Sequence, residues 1–168
     1  MPYDMPFMQY NYAGAVAVAK EFGGIKIADC VKSFESFENI GGRYELLNYK
    51  GKKVKYMRIK QENPETLQNC LNIMAADKEE KMVCIGLCPL VDIIPHYTNT
   101  FYAFDCDFEP LVNSGVERYY CFSEHVCYDT ANRLIYEGVS EDIIDIGDNE
   151  DVNELFKEFD GNISATEH

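Results

Sequence analysis

Between Phe101 and Val139 the chain reads FYAFDCDFEPLVNSGVERYYCFSEHVCYDTANRLIYEGV, a stretch that few folds can accommodate. Phe101 to Phe104 is apolar and runs into Asp105-Cys106-Asp107, which predicts a buried strand delivering two carboxylates to a loop. Phe108 to Val112 can make about one helical turn. Glu117 to Phe122 is a second apolar, aromatic run of strand length. Ser123 occupies an N-cap position, and Val126, Cys127, Thr130, Leu134 and Ile135 follow near helical spacing. Gly138 then falls where a helix-ending glycine belongs. Strands and helices alternating through short joints build an α/β layer on a mostly parallel sheet.

The rest of the chain can be arranged around that unit. Met82 to Leu87 is continuously apolar, as expected of a central strand covered on both faces. Asn63-Pro64 opens a helix whose inner stripe is Leu67, Cys70, Leu71 and Met74. Asp77 to Lys81 reads as a solvated charged turn. Arg43 to Lys60 reads as a hairpin turning at Lys50 to Lys53. Upstream, Met1 to Gln9 predicts an extended lead-in. Tyr10 to Phe22 predicts a closely packed alanine-rich helix stopped by Gly23-Gly24, and Ile27 to Phe37 a second helix. Downstream, Ile143 to Ile146 predicts a last short strand, Val152 to Phe159 a final helix, and Gly161 onward a polar tail.

A formal charge of -14 with no basic cluster able to offset it argues against a nucleic-acid phosphate binder. The seven cysteines lie in apolar strand and helix positions without a C-x-x-C pair, as buried thiols of a reducing compartment do. No metal site is expected from their spacing. The N-terminus lacks the basic and apolar regions of a signal peptide, and nothing approaches the roughly 20 apolar residues of a membrane span. A cytoplasmic protein is the expectation.

Several elements resemble the Mur ligase family. Asn11 to Ala19 resembles the N-x-x-A-A-x-A-x-A helix near the end of its central ATPase domain. Gly42-Arg43-Tyr44-Glu45 is similar to the G-R-x-E step into its C-terminal domain, and Asn63-Pro64 to the N-P that opens that domain's first helix. Asp105-Cys106-Asp107-Phe108-Glu109 and Asp129-x-Ala131-x-Arg133-Leu134-x-Tyr136-x-Gly138-Val139 resemble the MurT type more narrowly. That type pairs with a glutamine amidotransferase of the GatD kind and amidates the D-glutamate of lipid II in peptidoglycan synthesis.

The resemblance implies a Rossmann-like, three-layer α/β C-terminal domain over residues 43–160. Residues 1–42 would then be a helical pair left from the central domain, and 161–168 a tail. It also implies ATP and Mg²⁺ for the complete ligase, with Asn11 and Arg43 near the nucleotide. Yet no G-x-x-x-x-G-K-[ST] occurs, so the chain lacks the phosphate cradle and the Mg²⁺-holding hydroxyl. Lys60 and Glu62 stand where fully active Mur ligases usually carry Asp and His. Asn11 and Arg43 would therefore be vestigial or complete a site supplied elsewhere.

Asp105 and Asp107 are the catalytic candidates, and Asp92 is a further nearby carboxylate. Paired carboxylates at the carboxyl end of a parallel sheet can orient an amine, hold a metal, or accept the N–H of a partner's histidine. Alternatively, Asp107 caps the short Phe108 helix and Asp105 is solvated. His96 reads as a loop histidine. His125, Cys127 and Asp129 have the residue types of a base, nucleophile and orienter, but residues two apart on a helix do not face each other. The expected function is the C-terminal region of a MurT-like ligase. It would contribute substrate closure and docking to a GatD-like amidotransferase or to a P-loop ligase domain, and would not be active alone. The other expectation is a free-standing, non-catalytic interaction module that kept the fold.

Overall fold

The computed structural model describes residues 6–37, 44–58, 64–87, 104–123, 126–147 and 162–167. The chain divides into two compact units, Met1–Gly41 and Gly42–His168. The first holds helices α1 (Pro6–Gly23) and α2 (Ile27–Glu35). Helix α1 begins at Pro6, inside the expected lead-in, because proline needs no amide partner in a first turn. Gly24 ends it at φ +64°, its amide bonded to the Lys20 carbonyl at 3.1 Å. The expected close packing is not found. Tyr12 rests on Phe34 with ring centroids 4.9 Å apart and Cys30 is buried, but Tyr10, Val18, Phe22, Ile27 and Val31 are exposed. Alanine buries too little apolar area to build a core from two helices.

The second unit is a mixed α/β, Rossmann-like domain around a six-stranded sheet of order β1-β2-β6-β3-β4-β5. The strands are β1 (Tyr44–Tyr49), β2 (Lys52–Arg58), β3 (Lys81–Gly86), β4 (Val116–Phe122), β5 (Ile144–Gly147) and β6 (Asn162–Glu167). Only β1 is antiparallel; β2, β6, β3, β4 and β5 run parallel. The hairpin turns on Lys50 (φ 52°) and Gly51 (φ 87°). Positive φ at both central residues gives a two-residue turn whose twist matches the strands. Asn48 Oδ1 accepts the Gly51 amide at 2.9 Å and closes it.

Strand β6 corrects the expected polar tail. Asn-Ile-Ser-Ala-Thr-Glu lies between β2 and β3 and pairs with both. Ile163 and Ser164 are buried there. Strands inside parallel sheets normally read as apolar runs, so its polar composition hid it. What it contributes is a ladder of main-chain bonds on each side.

Helices α3 (Pro64–Ala76), α4 (Glu109–Val112) and α5 (Val126–Tyr136) complete the described fold. The stripe Leu67, Cys70, Leu71 and Met74 of α3 is buried as its spacing predicts, and so is all of β3. Tyr119 on β4 donates its hydroxyl to the Leu111 carbonyl of α4 at 3.2 Å, so odd-numbered β4 residues face the helices. The opposite face carries a cluster of Val54, Met82, Cys84, Tyr120, Phe122 and Ile163. Gly86 belongs to that face because a Cβ there would lie 2.3 Å from the Phe122 ring.

Helix α5 ends at Gly138 as expected. The Val139 amide reaches the Leu134 carbonyl at 3.1 Å, Gly138 reaches Ile135 at 2.9 Å, and Gly138 has φ +97°. At its start the Ser123 carbonyl accepts the Cys127 amide at 3.2 Å, the first helical bond. Ser123 has φ +92° and donates its hydroxyl to the Leu87 carbonyl at 2.6 Å, tying the exits of β3 and β4. Of the strand expected over Phe101 to Phe104, residues 101–103 lie outside the described residues, and Phe104, with Asp105, is helical and exposed. The expected helix over 152–159, the irregular 88–100 segment with Asp92 and His96, and residues Arg43, Lys60, Glu62 and His125 lie outside the described residues.

Candidate functional site

The two candidate carboxylates bracket a buried cysteine that anchors their loop. Cys106 is buried, and its thiol donates to the Pro64 carbonyl at the start of α3, at 3.3 Å. One residue on, Gln68 makes a reciprocal pair with the backbone of Asp107. Its Oε1 accepts the Asp107 amide at 2.6 Å and its Nε2 donates to the Asp107 carbonyl at 2.9 Å. From the other side, Arg133 of α5 donates from Nη2 to the Cys106 carbonyl at 3.2 Å. The same guanidinium lies 6.0 Å over the buried Phe108 ring and is ion-paired to Glu137. Its Nε is buried without a partner.

Two helices therefore grip the loop by its backbone, and both carboxylates stay exposed. Asp107 Oδ1 accepts the Glu109 amide at 3.0 Å, an aspartate turn that starts α4. Helix α3 leads into β3 from its C-terminal end, so it runs antiparallel to that strand. Its first turn, with the loop beside it, lies toward the carboxyl ends of the parallel strands, where α/β sheets hold ligands. Asp105 stands in a helical turn with Phe104, not in the loop the sequence reading expects. Asn11 lies on α1, exposed, with its amide nitrogen 3.4 Å from Met8 Sδ.

Cysteine chemistry is shut down at these positions. Burial pushes the thiols of Cys70 and Cys84 up to about 12. Burial and the adjacent Asp105 charge push Cys106 up to about 11. Burial also raises Cys121. A thiolate is the reactive form, so these side chains are packing groups at neutral pH. The six described cysteines are buried and none is in a disulfide. Among the described residues no three of His, Cys, Asp and Glu converge as metal ligands would.

A second polar cluster lies at the amino end of the sheet. Lys81, expected in a solvated turn, is 1% exposed. Its ammonium donates to the Asp77 carbonyl at 2.5 Å, to Glu79 at 3.4 Å, and to the Ser114 carbonyl. It thereby caps the chain just after both α3 and α4. Beside it, Asp77 is ion-paired to Lys55. A cavity of about 450 Å³ opens there between β2, β6 and the end of α3, lined by Lys53, Lys55, Ile73, Ala76, Asp77 and Ser164 among others. It sits at the end of the sheet opposite to the carboxylate loop.

Sequence reasoning missed Gln68, Arg133 and Lys81. Arg133 stands inside the D-x-A-x-R-L pattern, which offered a signal without a role. Nothing local marks Gln68, whose partner is far away in the chain.

The sequence profile described as MurT ligase C-terminal matches residues 61–167, from the start of α3 through β6. The chain belongs to the MurT ligase C-terminal family. This match runs through the strand at Asn162–Glu167, which makes β6 part of the MurT C-terminal domain. No curated protein matches the chain. No helix among the described residues is long and apolar enough to cross a membrane.

Proposed function

We propose that the chain acts as the C-terminal part of a MurT-like ligase in amidation of the peptidoglycan precursor lipid II. The family match over residues 61–167 carries this reading. ATP activation, with Mg²⁺, belongs to a P-loop domain that the sequence does not contain. This chain supplies closure over the substrate and a docking face for a GatD-like glutamine amidotransferase. Asp105 and Asp107 are the groups offered to that face. A carboxylate held by its backbone and open to solvent can accept the N–H of a partner's histidine and raise its basicity, or orient the incoming amine. Asn11 and Arg43 contribute to the nucleotide side when the P-loop domain is present.

The test reconstitutes the full chain with the amidotransferase and the P-loop ligase portion, then compares wild type with an Asp105→Asn, Asp107→Asn variant. Loss of glutaminase activity or of ATP turnover in a still-assembled complex supports the reading. If neither activity changes, the carboxylates have no such role.

A further inference from the structure

The two ends of the sheet carry opposite charge. The β1–β2 hairpin, residues 44–58, holds five of the chain's 15 basic residues and one of its 29 acidic ones. Lys50, Lys53 and Arg58 are exposed there. At the other end, residues 140–151 contain no lysine or arginine. Glu141 and Asp142, in a short 3₁₀ turn before β5, are exposed.

The ladder puts these charges at the same end of the strands. Val54, Ile163, Met82 and Arg118 form one row across the sheet, and Lys55, Ser164, Val83, Tyr119 and Ile144 the next. Lys53 precedes the first of these rows on β2 and Asp142 precedes β5, both at the amino end of the parallel strands. Both terminal strands also expose aliphatic side chains: Leu46 is 69% and Leu47 47% exposed on β1, and Ile146 is 42% exposed on β5. Among the described residues neither β1 nor β5 has a strand on its outer side. Edge strands that avoid pairing usually carry their own lysines. Strand β1 carries none, and the lysines stand on the turn and on β2 behind it.

We propose that the occupant of this edge is a second copy of the chain, joined head to tail. The basic β1–β2 edge of one copy meets the acidic β5 edge of the next, with Lys50 and Lys53 facing Glu141 and Asp142. Main-chain bonds between β1 and β5 continue the sheet, and the charges choose the partner edge and its level. Exposed ion pairs are individually weak and screened by salt, so the association is modest and strongly salt-dependent.

Sedimentation velocity of the full chain at about 0.05 M and about 0.5 M salt tests this, with association at low salt weakened about tenfold or more at high salt. A Lys50→Glu, Lys53→Glu variant and a Glu141→Lys, Asp142→Lys variant should each lose self-association. Mixed together they should associate again, the two variants alternating, because each acidic edge of the first then meets a basic edge of the second. A wild type that stays monomeric at low salt overturns the proposal. So does association that survives either charge reversal, or folded variants that fail to bind each other.

Discussion

Replacing Lys81 by methionine keeps the length of the buried stem and deletes only the ammonium. Three carbonyls, of Asp77, Glu79 and Ser114, then lose their donor in a site where Lys81 is 1% exposed. A hydrogen bond from a charged donor contributes about 1.5–3 kcal/mol, and an unsatisfied buried carbonyl costs about 1–3 kcal/mol. Against this stands the relief of no longer desolvating an ammonium. With Asp77 and Ser114 as the strong acceptors, the net loss should be about 2–3 kcal/mol, or roughly 8–12 °C in Tm for a domain of this size. Urea titration would read it as a lower midpoint with an unchanged slope.

The pH dependence gives a second readout. Burial lowers the Lys81 pKa below 10.5 despite the opposing charge of Asp77. Between that lowered value and 10.5 the unfolded chain binds more protons than the folded one, so stability from this group rises with pH. Wild type should gain on the Lys81→Met variant across that window. A variant as stable as wild type, or more so, would refute the reasoning, since it would mean the ammonium costs as much as its bonds return.

Three further outcomes follow from the same contacts. Burial works to raise Asp77, but the Lys55 hydrogen bond, the Glu79 amide and the charges of Lys55 and Lys81 outweigh it and hold the carboxyl below 3.8. Its stabilisation is present above the unfolded value and lost as pH falls through the folded one, so Asp77→Asn should flatten the acid limb of a stability–pH curve below about pH 4. Gly86→Ala puts a methyl 2.3 Å from the Phe122 ring and should cost about 1–3 kcal/mol by thermal unfolding. Gln68→Ala removes both bonds to the Asp107 backbone, and hydrogen exchange at the Asp107 amide should quicken roughly fivefold or more while global stability falls by about 1 kcal/mol. Unchanged exchange would mean the loop is held by Cys106 and Arg133 alone.

What local pattern can encode was legible. Leu67, Cys70, Leu71 and Met74 lie on one helical stripe, Met82 to Leu87 form an apolar run, and Gly138 follows the last turn of α5. Each signal lies within a few residues, and all of these residues but Gly138 are buried in the fold while Gly138 takes the left-handed turn. The resemblance carried by the D-C-D-F-E segment, the D-x-A-x-R-L pattern and Asn63-Pro64 agrees with the family match.

The rest depended on partners far apart in sequence. Asn162 to Glu167 is a strand because β2 and β3 leave a gap between them whose amides and carbonyls need pairing, and its own composition gives no hint of that. Lys81 is buried because the ends of α3 and α4 converge on it. The Asp105–Asp107 loop is positioned by Gln68 and Arg133, from two helices on either side of it in the chain. Sequence by itself determined the elements with a local apolar pattern and the family, because periodicity and capping act over one or two turns. Tertiary structure alone decided which polar groups are buried and what holds the candidate carboxylates, because hydrogen-bond satisfaction depends on which segments meet.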